Sequence, residues 1–163
     1  MMEQAFPFDA VITDGVPDRS YSAEDLANVF NTIFSGGVLA EGGLKVRPAP
    51  DGSFAVQLGA GSALLRGYHY SATDVHQFTL EAAPSGGHSR VDLVVLRLDL
   101  ENRTVYPTLL TGAAAVSPAA PSLTRDSAVF EMALGEIYIS SGKTKIFQSD
   151  ITDTRVFNHL RTA

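Results

Sequence analysis

Residues 89–112, SRVDLVVLRLDLENRTVYPTLLTG, constrain the fold of this chain more than any other segment. Two apolar runs flank a polar turn at Glu101-Asn102, which predicts a β-hairpin with strands at 91–100 and 103–110. In 91–96 both alternating faces are apolar except at Asp92, a pattern typical of a strand that is buried on both sides. Pro107 cannot donate a ladder hydrogen bond, so we expect the returning strand to lie at a sheet edge or at a bulge.

The remaining sequence predicts further strands, at 8–14, 53–58, 62–72, 76–80 and 128–140, and a short strand with a turn within 144–155. Gly67 divides one of these segments into a hairpin, and a shift of the apolar phase at Gly135 predicts a β-bulge in another. Strands that recur about every ten residues are typical of β-sandwiches. We therefore predict a mainly β, two-sheet β-sandwich-like fold in a single domain, 1–163, with a short N-terminal arm at 1–8 and a C-terminal tail at 156–163.

One amphipathic α-helix is predicted at about 22–35, within YSAEDLANVFNTIFSGG. Ser22 suits the N-cap and Asp25 the N3 position of a capping box, and Gly36-Gly37 supply a stop. The apolar residues recur at i, i+3, i+4, i+7 and i+8 and form one stripe. Burial of each such side chain stabilises a fold by roughly 1.5–3 kcal/mol. We therefore expect the stripe to face the hydrophobic core; it consists of Leu26, Val29, Phe30, Ile33 and Phe34.

Charge and composition exclude several classes of protein. The net charge is −6 and the 12 lysines and arginines are scattered, which argues against a nucleic-acid partner. The chain has no cysteine, so neither disulfides nor thiolate metal sites hold it together. The N-terminus is unlike a signal peptide, and no apolar run approaches the roughly 18 residues of a membrane span. We expect a protein made in the cytoplasm, with no membrane partner.

Two glycine-bearing segments share only part of the pattern of phosphate-binding loops. The segment 140–144, SSGKT, ends like such a loop, but Ile137 stands at the position of the first glycine and the residues that follow predict a strand. The segment 59–67, GAGSALLRG, lacks a strand–turn–helix setting and a later acidic partner. We interpret both segments as turns between strands.

The histidines show no spacing that is typical of a metal site; they are His69, His76, His88 and His159. A metal site would require two of them, at 69 and 76, to meet across strands with a carboxylate. Solvated or half-buried imidazoles are the favoured interpretation.

The carboxylates do not suggest a catalytic pair either. Asp92 and Asp99 would point to opposite faces of a regular strand, whereas a glycosidase needs two carboxylates in one cleft. Asp150 and Asp153 could reach one Ca²⁺, but calcium usually takes six to eight oxygen ligands. Turn capping and an ion pair, Asp153–Arg155 or Asp92–Arg90, are favoured instead. We predict no catalytic residue, no cofactor-binding residue and no metal ligand in this chain.

Five segments together resemble a module of tailed-phage baseplate and tail-tip structural proteins. They are YSAEDLANVFNTIFSGGV, GSALLRGYHY, the hairpin segment 89–112, PAAPSLTRDSAVFEMALGEIYI and ITDTR, in that order from about Phe6 to Arg155. The most specific parts are R-x-D-x-x-V-L-R-x-D at 90–99, L-T-R-D at 123–126 and I-T-D-T-R at 151–155. These modules are the upper-baseplate and receptor-binding-protein attachment modules common in phages of Gram-positive bacteria.

The resemblance implies a non-enzymatic assembly part of the virion. Such modules are largely β, form homo-oligomers, trimers among them, and connect the tail hub to distal host-binding domains. The expected partners are therefore further copies of this chain and other tail or baseplate proteins. Because the chain stops at Ala163, soon after I-T-D-T-R, we expect an adaptor or scaffold role rather than direct recognition of the host.

Two further functions remain as alternatives. A carbohydrate-binding β-sandwich that contacts cell-wall glycan would use exposed aromatic residues, for which Tyr68, Tyr70 and Tyr106 are the candidates. The same tyrosines also fit cross-strand packing. A hydrolase is the least favoured alternative, because no nucleophile motif occurs.

Two small-residue loops are expected to offer exposed surface for subunit packing, at 34–44 and 112–122.

Overall fold

The computed structural model describes residues 8–161. This part of the chain is mainly β, with several antiparallel sheets and one α-helix, so the predicted β-sandwich-like fold with one helix is confirmed. The elements in chain order are β1 (Ile12–Thr13), β2 (Val16–Pro17), α1 (Ala23–Ile33), β3 (Gly37–Val38), β4 (Val46–Pro48), β5 (Ala55–Leu58), β6 (Gly61–Leu65), β7 (Tyr68–Ala72), β8 (His76–Thr79), β9 (Arg90–Asp99), β10 (Thr104–Leu110), β11 (Val129–Ile139), a 3₁₀ turn (Gln148–Asp150) and β12 (Ile151–Asp153).

The largest sheet has four strands in the order β10-β9-β11-β12. Its β9–β10 hairpin is the one that the sequence predicts, and β10 is an edge strand, as Pro107 requires. The turn covers four residues, 100–103, rather than two. The longer turn is held by Asp99, whose carboxylate accepts hydrogen bonds from the backbone and side-chain amides of Asn102, and Arg103 adopts a left-handed φ of 54°.

Strand β9 is the centre of the hydrophobic core. Val94, Val95 and Leu96 have no exposed surface, although successive side chains point to opposite faces of the sheet. The prediction that 91–96 is buried on both sides is therefore confirmed in the main, with Val91 half-buried.

The predicted bulge lies in β11. Ala133 pairs with Val95 and Gly135 pairs with Val94, so Leu134 between them has no opposite residue. The bulge restores the apolar phase, since Leu134, Ile137 and Ile139 are all fully buried.

Two three-stranded sheets, β3-β6-β7 and β4-β5-β8, pack with the large sheet around one hydrophobic cluster. The chain passes from one small sheet to the other between β5 and β6. Gly61 sits at this crossing with a φ of +153°, and a Cβ there would lie 2.7 Å from the Gly43 Cα. A larger residue would therefore force the two backbones apart. The hairpin predicted at Gly67 is confirmed as the β6–β7 turn.

The helix is confirmed, but the expected burial of its stripe is wrong. The capping box forms: the Ser22 hydroxyl accepts from the Asp25 N–H, and the Asp25 carboxylate accepts from the Ser22 N–H. Ala27 is the one residue of α1 that is buried. A Cβ on Gly67 would lie 1.8 Å from the Ala27 carbonyl oxygen, so the helix backbone rests directly on the β6–β7 turn. This contact through small residues leaves Leu26, Phe30 and Ile33 exposed.

Two loop and terminal segments differ from the sequence expectations, and a third agrees with them. The predicted strand at 8–14 is reduced to β1, which forms a two-residue hairpin with β2. The segment 34–44 is not simply surface, since Val38 and Leu44 belong to the core while Leu39 is exposed. The segment at 112–122 carries an exposed Val116, as expected.

The chain ends behave differently from one another. Of the predicted arm, residues 1–7 lie outside the described residues, and every residue from 8 to 19 is exposed. The predicted tail is paired through residue 161: the Val38 N–H donates to the Val156 carbonyl, and the Arg161 N–H donates to the Ile33 carbonyl. The C-terminal segment therefore runs beside β3 and the end of α1, and residues 162–163 lie outside the described residues.

Candidate functional site

Three arginine–carboxylate pairs lie within the segments that resemble phage modules. The first joins Arg90 and Asp92, and both side chains are almost completely buried. The Arg90 guanidinium also donates to the carbonyls of Glu81 and Ala82, while Asp92 accepts from the Gly112 N–H at 3.0 Å. This pair therefore binds the backbone of the segments that enter β9 and leave β10.

The second pair joins Arg97 on β9 to Glu131 on β11, which lie directly opposite each other in the sheet. The Arg97 Nε donates to Glu131 Oε1 at 2.7 Å, and the other carboxylate oxygen accepts from the Thr124 N–H at 2.6 Å. Hydrogen bonds from Arg97 to the Tyr106 hydroxyl and to the Glu131 carboxylate raise the pKa of the guanidinium. The pair fastens the L-T-R-D segment to the sheet, and the fully buried Glu131 has both oxygens hydrogen-bonded.

The third pair joins Arg155 and Asp153 at the end of β12. The guanidinium side chain is buried and donates to the carbonyls of Glu41 and Gly43, at 2.7 and 2.6 Å. The hydrogen bond from Arg155 holds the pKa of the Asp153 carboxyl below its ordinary value. Two of the three pairs, Arg90–Asp92 and Arg155–Asp153, confirm the predicted ion pairs.

The other residues that the sequence singled out are dispersed. Among the described residues no group of three or more His, Asp or Glu side chains is arranged to hold a metal ion. His69 and His76 lie on strands of different sheets, and His76 packs against Phe78. His159 is hydrogen-bonded to Ser35, whereas His88 lies in the loop before β9.

The aspartates considered for calcium face cations instead. Asp150 pairs with Lys143 and also accepts from the Phe147 N–H at 2.7 Å, while Asp153 pairs with Arg155. Asp92 and Asp99 belong to separate local networks, one buried at the start of β9 and one in the β9–β10 turn.

Of the two segments compared with phosphate-binding loops, 140–144 is a turn, as predicted, whereas the interpretation of 59–67 as a turn is wrong because most of it forms strand β6. Gly142 has a left-handed φ of 69° in the turn after β11, and the chain continues into the 3₁₀ turn and β12. Residues 59–67 cross between the two small sheets, form β6 and enter the β6–β7 turn.

A groove of about 620 Å³ lies between β7, β10 and the first turn of α1. Tyr68 and Tyr70 line it from β7, and Asp99 and Arg103 line it from the β9–β10 turn. Burial raises the pKa of the Tyr70 phenol above its ordinary value. Both tyrosines are half-buried and also pack against the core, which is the cross-strand use that the sequence favoured. Tyr106 is not part of the groove lining, since its hydroxyl lies near Arg97.

A continuous apolar surface runs along α1 and is defined here as the helix-flank surface. Its exposed members are Leu26, Phe30 and Ile33 on the helix, with Leu39 and Leu160 beside its C-terminal end. A shallow depression of about 270 Å³, lined by Phe30, Phe34, Leu39, Leu64, His69 and Asn158, lies within it. Large exposed apolar patches on soluble proteins usually mark sites of protein contact.

Sequence reasoning missed two features of these sites. Glu131 was overlooked because it stands between Phe130 and Met132 in a strand where alternation alone suggests a wet face. Its signal was the opposite charge of Arg97, which becomes visible only once β9 and β11 are placed in register. The helix-flank surface was missed because the amphipathic pattern says which residues share a face but not what covers it.

No family model, curated protein or solved structure matches the chain. In the described residues, no helix is both long enough and apolar enough to cross a membrane.

Proposed function

We propose that this protein is a structural component of a phage tail or baseplate. It acts as an oligomeric adaptor or scaffold that links the tail hub to host-binding components. In this proposal it is made in the host cytoplasm, resides in the virion and performs no catalysis. Its partners are further copies of itself and neighbouring tail proteins.

The observation that carries the proposal is the use of charge in the three arginine–carboxylate pairs. These side chains belong to the segments that resemble phage modules, and each pair hydrogen-bonds to the backbone of a loop that lies beside it. Buried ion pairs are costly unless their remaining donors and acceptors are satisfied, and they can specify a unique arrangement of the chain. Such a use of charge fits a protein whose task is to hold a shape against neighbouring subunits.

The location of the protein is the direct test. Particles purified from the producing host are digested for mass spectrometry and labelled with gold-conjugated antibody against this chain for electron microscopy. We expect the chain among the particle proteins and the label at the tail tip. Particles that carry a complete tail but lack this chain would contradict the proposal.

The groove lined by Tyr68 and Tyr70 favours one second candidate, a module that binds cell-wall glycan. Sugars stack on tyrosine rings, and the carboxylate and guanidinium of Asp99 and Arg103 could bond to hydroxyl groups. Calorimetric titration with cell-wall polysaccharide fragments would then detect binding that is lost in Tyr68→Ala/Tyr70→Ala. The matched control is Tyr138→Ala, whose ring is exposed on β11. Absence of binding by the unaltered protein would reject this candidate.

A further inference from the structure

The N-terminal hairpin, defined as residues 8–19, is folded, and none of its residues is buried against the rest of the described chain. Asp14-Gly15 form its turn with φ values of 53° and 78°, as in the tight turns that join paired strands. Val11 and Asp18 close it, since each N–H donates to an oxygen of the other residue, at 2.8 and 3.0 Å. All its residues are exposed, and isolated two-stranded hairpins are at best marginally stable in water.

This hairpin presents large apolar side chains to solvent. Phe8, Val11, Ile12 and Val16 are 57–70% exposed. The helix-flank surface is the apolar counterpart in the same chain, with its members 39–62% exposed. One copy of the chain therefore carries two uncovered apolar elements of different shape, one projecting and one shallow and concave.

Charge complements the apolar match. Residues 8–19, FDAVITDGVPDR, contain three aspartates and one arginine, and Arg19 pairs with Asp18, so the hairpin is acidic through Asp9 and Asp14. The C-terminal segment 155–161, RVFNHLR, contains two arginines and no acid; Arg155 is buried in its pair with Asp153, whereas Arg161 is exposed. Arg161, Arg66 and Arg125 also line a depression of about 380 Å³ together with Asp126, at the C-terminal end of α1. In a chain of net charge −6, this concentration of guanidinium groups beside the helix-flank surface fits an acidic ligand.

We propose that the N-terminal hairpin of one copy docks on the helix-flank surface of a second copy. The hairpin's apolar side chains cover Leu26, Phe30 and Ile33, and its aspartates face the arginines at the end of α1. Identical copies can satisfy both uncovered elements in every subunit of a closed assembly. The proposal rests on the homo-oligomeric character given under Proposed function and names the surfaces that produce it.

Cysteine cross-linking tests this contact directly, because the natural chain contains no cysteine. One preparation carries Ile12→Cys in the hairpin and a second, with a tag of different mass, carries Ile33→Cys on the helix. After mixing and mild oxidation, we expect a disulfide-linked species that contains both tags on a non-reducing gel. The matched control pairs Ile12→Cys with Val116→Cys, an exposed residue of the loop between β10 and β11.

Equal yields of mixed species from the test pair and the control pair would overturn the proposal. So would a chain with both Ile12→Cys and Ile33→Cys that forms only an internal disulfide, since the hairpin would then cover its own helix.

Light scattering separates this inference from the proposed function. We expect the unaltered protein to be a defined multimer and Ile12→Asp/Val16→Asp to be a monomer with an unchanged circular dichroism spectrum, because the hairpin makes no core contact. A multimer that survives this double substitution would refute hairpin docking and leave the adaptor role intact. A monomeric unaltered protein at high concentration would refute both the docking and the homo-oligomeric part of the proposed function.

Discussion

At the scale of single residues, buried charge in this protein binds the backbone of the loops that flank the strands. Glu131 illustrates the pattern, since its carboxylate joins Arg97 of the neighbouring strand to the Thr124 N–H of the preceding loop. Removal of this carboxylate leaves a guanidinium and a backbone donor without their acceptor. Loss of one partner costs far more than the pair itself contributes, because the group left behind stays desolvated.

We predict that Glu131→Ala lowers the free energy of unfolding by about 3 kcal/mol, the lower end for a broken buried pair because Arg97 keeps partial access to water. The measurement is urea denaturation followed by circular dichroism, since the chain has no tryptophan. Glu101→Ala, in the exposed β9–β10 turn, is the control and should change stability by no more than about 0.5 kcal/mol. Equal stability of the two variants would refute the structural role of the pair.

The Asp153–Arg155 pair predicts a dependence of stability on pH. In the folded protein the pKa of the Asp153 carboxyl is lowered from 3.8. The ionised carboxylate therefore stabilises the fold at pH values above 3.8, and this stabilisation is lost as the pH falls through the lower pKa of the folded state. Asp153→Asn should therefore cost stability at pH 7, by no more than about 1 kcal/mol because the carboxylate is partly exposed to screening solvent. Urea titrations between pH 7 and pH 2 should show the difference from the unaltered protein shrinking below about pH 4. The same substitution at Asp9 in the exposed hairpin serves as control, and a difference that is constant across this range would contradict the prediction.

At the scale of elements, the position of α1 depends on a contact between small residues. The helix lies so close to the β6–β7 turn that only glycine fits at position 67, where φ is also +85°. The approach is close because Ala27 has one methyl group and Gly67 has no side chain. The larger apolar residues of the helix are directed to its exposed flank as a consequence.

Gly67→Ala is expected to destabilise the protein by about 2–5 kcal/mol, through left-handed backbone strain and a clash with the Ala27 carbonyl. Thermal unfolding by circular dichroism measures this effect. Gly142→Ala is a close control, since Gly142 has a φ of +69° but no atom within 4 Å of the added methyl group. It should cost only the backbone term, about 1–2 kcal/mol. Equal losses of stability in the two variants would mean that the helix backbone does not contact the β6–β7 turn.

At the scale of the whole molecule, the fold separates a fixed body from an exposed apolar surface. One hydrophobic cluster joins the three larger sheets, and the arginine–carboxylate pairs bind loops to them. The helix flank and the N-terminal hairpin remain outside this body. An assembly part would use such a division, because a rigid body keeps its contact surfaces in register.

Association through the helix-flank surface predicts a melting temperature that depends on protein concentration. Since assembly stabilises the folded state by mass action, a tenfold increase in concentration should raise Tm by roughly 3 °C. Phe30→Gln should abolish this dependence, whereas Val116→Gln, in an exposed loop, should preserve it. Differential scanning calorimetry over two decades of concentration provides the measurement. A Tm that is independent of concentration in the unaltered protein would argue against self-association.

The sequence by itself determined the local features of this protein. The capping box at Ser22, the hairpin at 89–112, the edge position of Pro107 and the bulge near Gly135 all depend on neighbouring residues or on the two-residue period of a strand. Two ion pairs were also predictable, because their members are two residues apart.

Only the tertiary structure decided what those elements face. The Glu131–Arg97 pair, the loop bound by Arg155 and the exposure of Phe30 depend on residues far apart in the chain. An amphipathic pattern predicts that the apolar side chains of a helix are buried. Whether they are buried depends on how closely the helix backbone approaches the backbone on which it packs. In this protein Gly67 brings the helix close on one side, and its apolar flank is left for a neighbour.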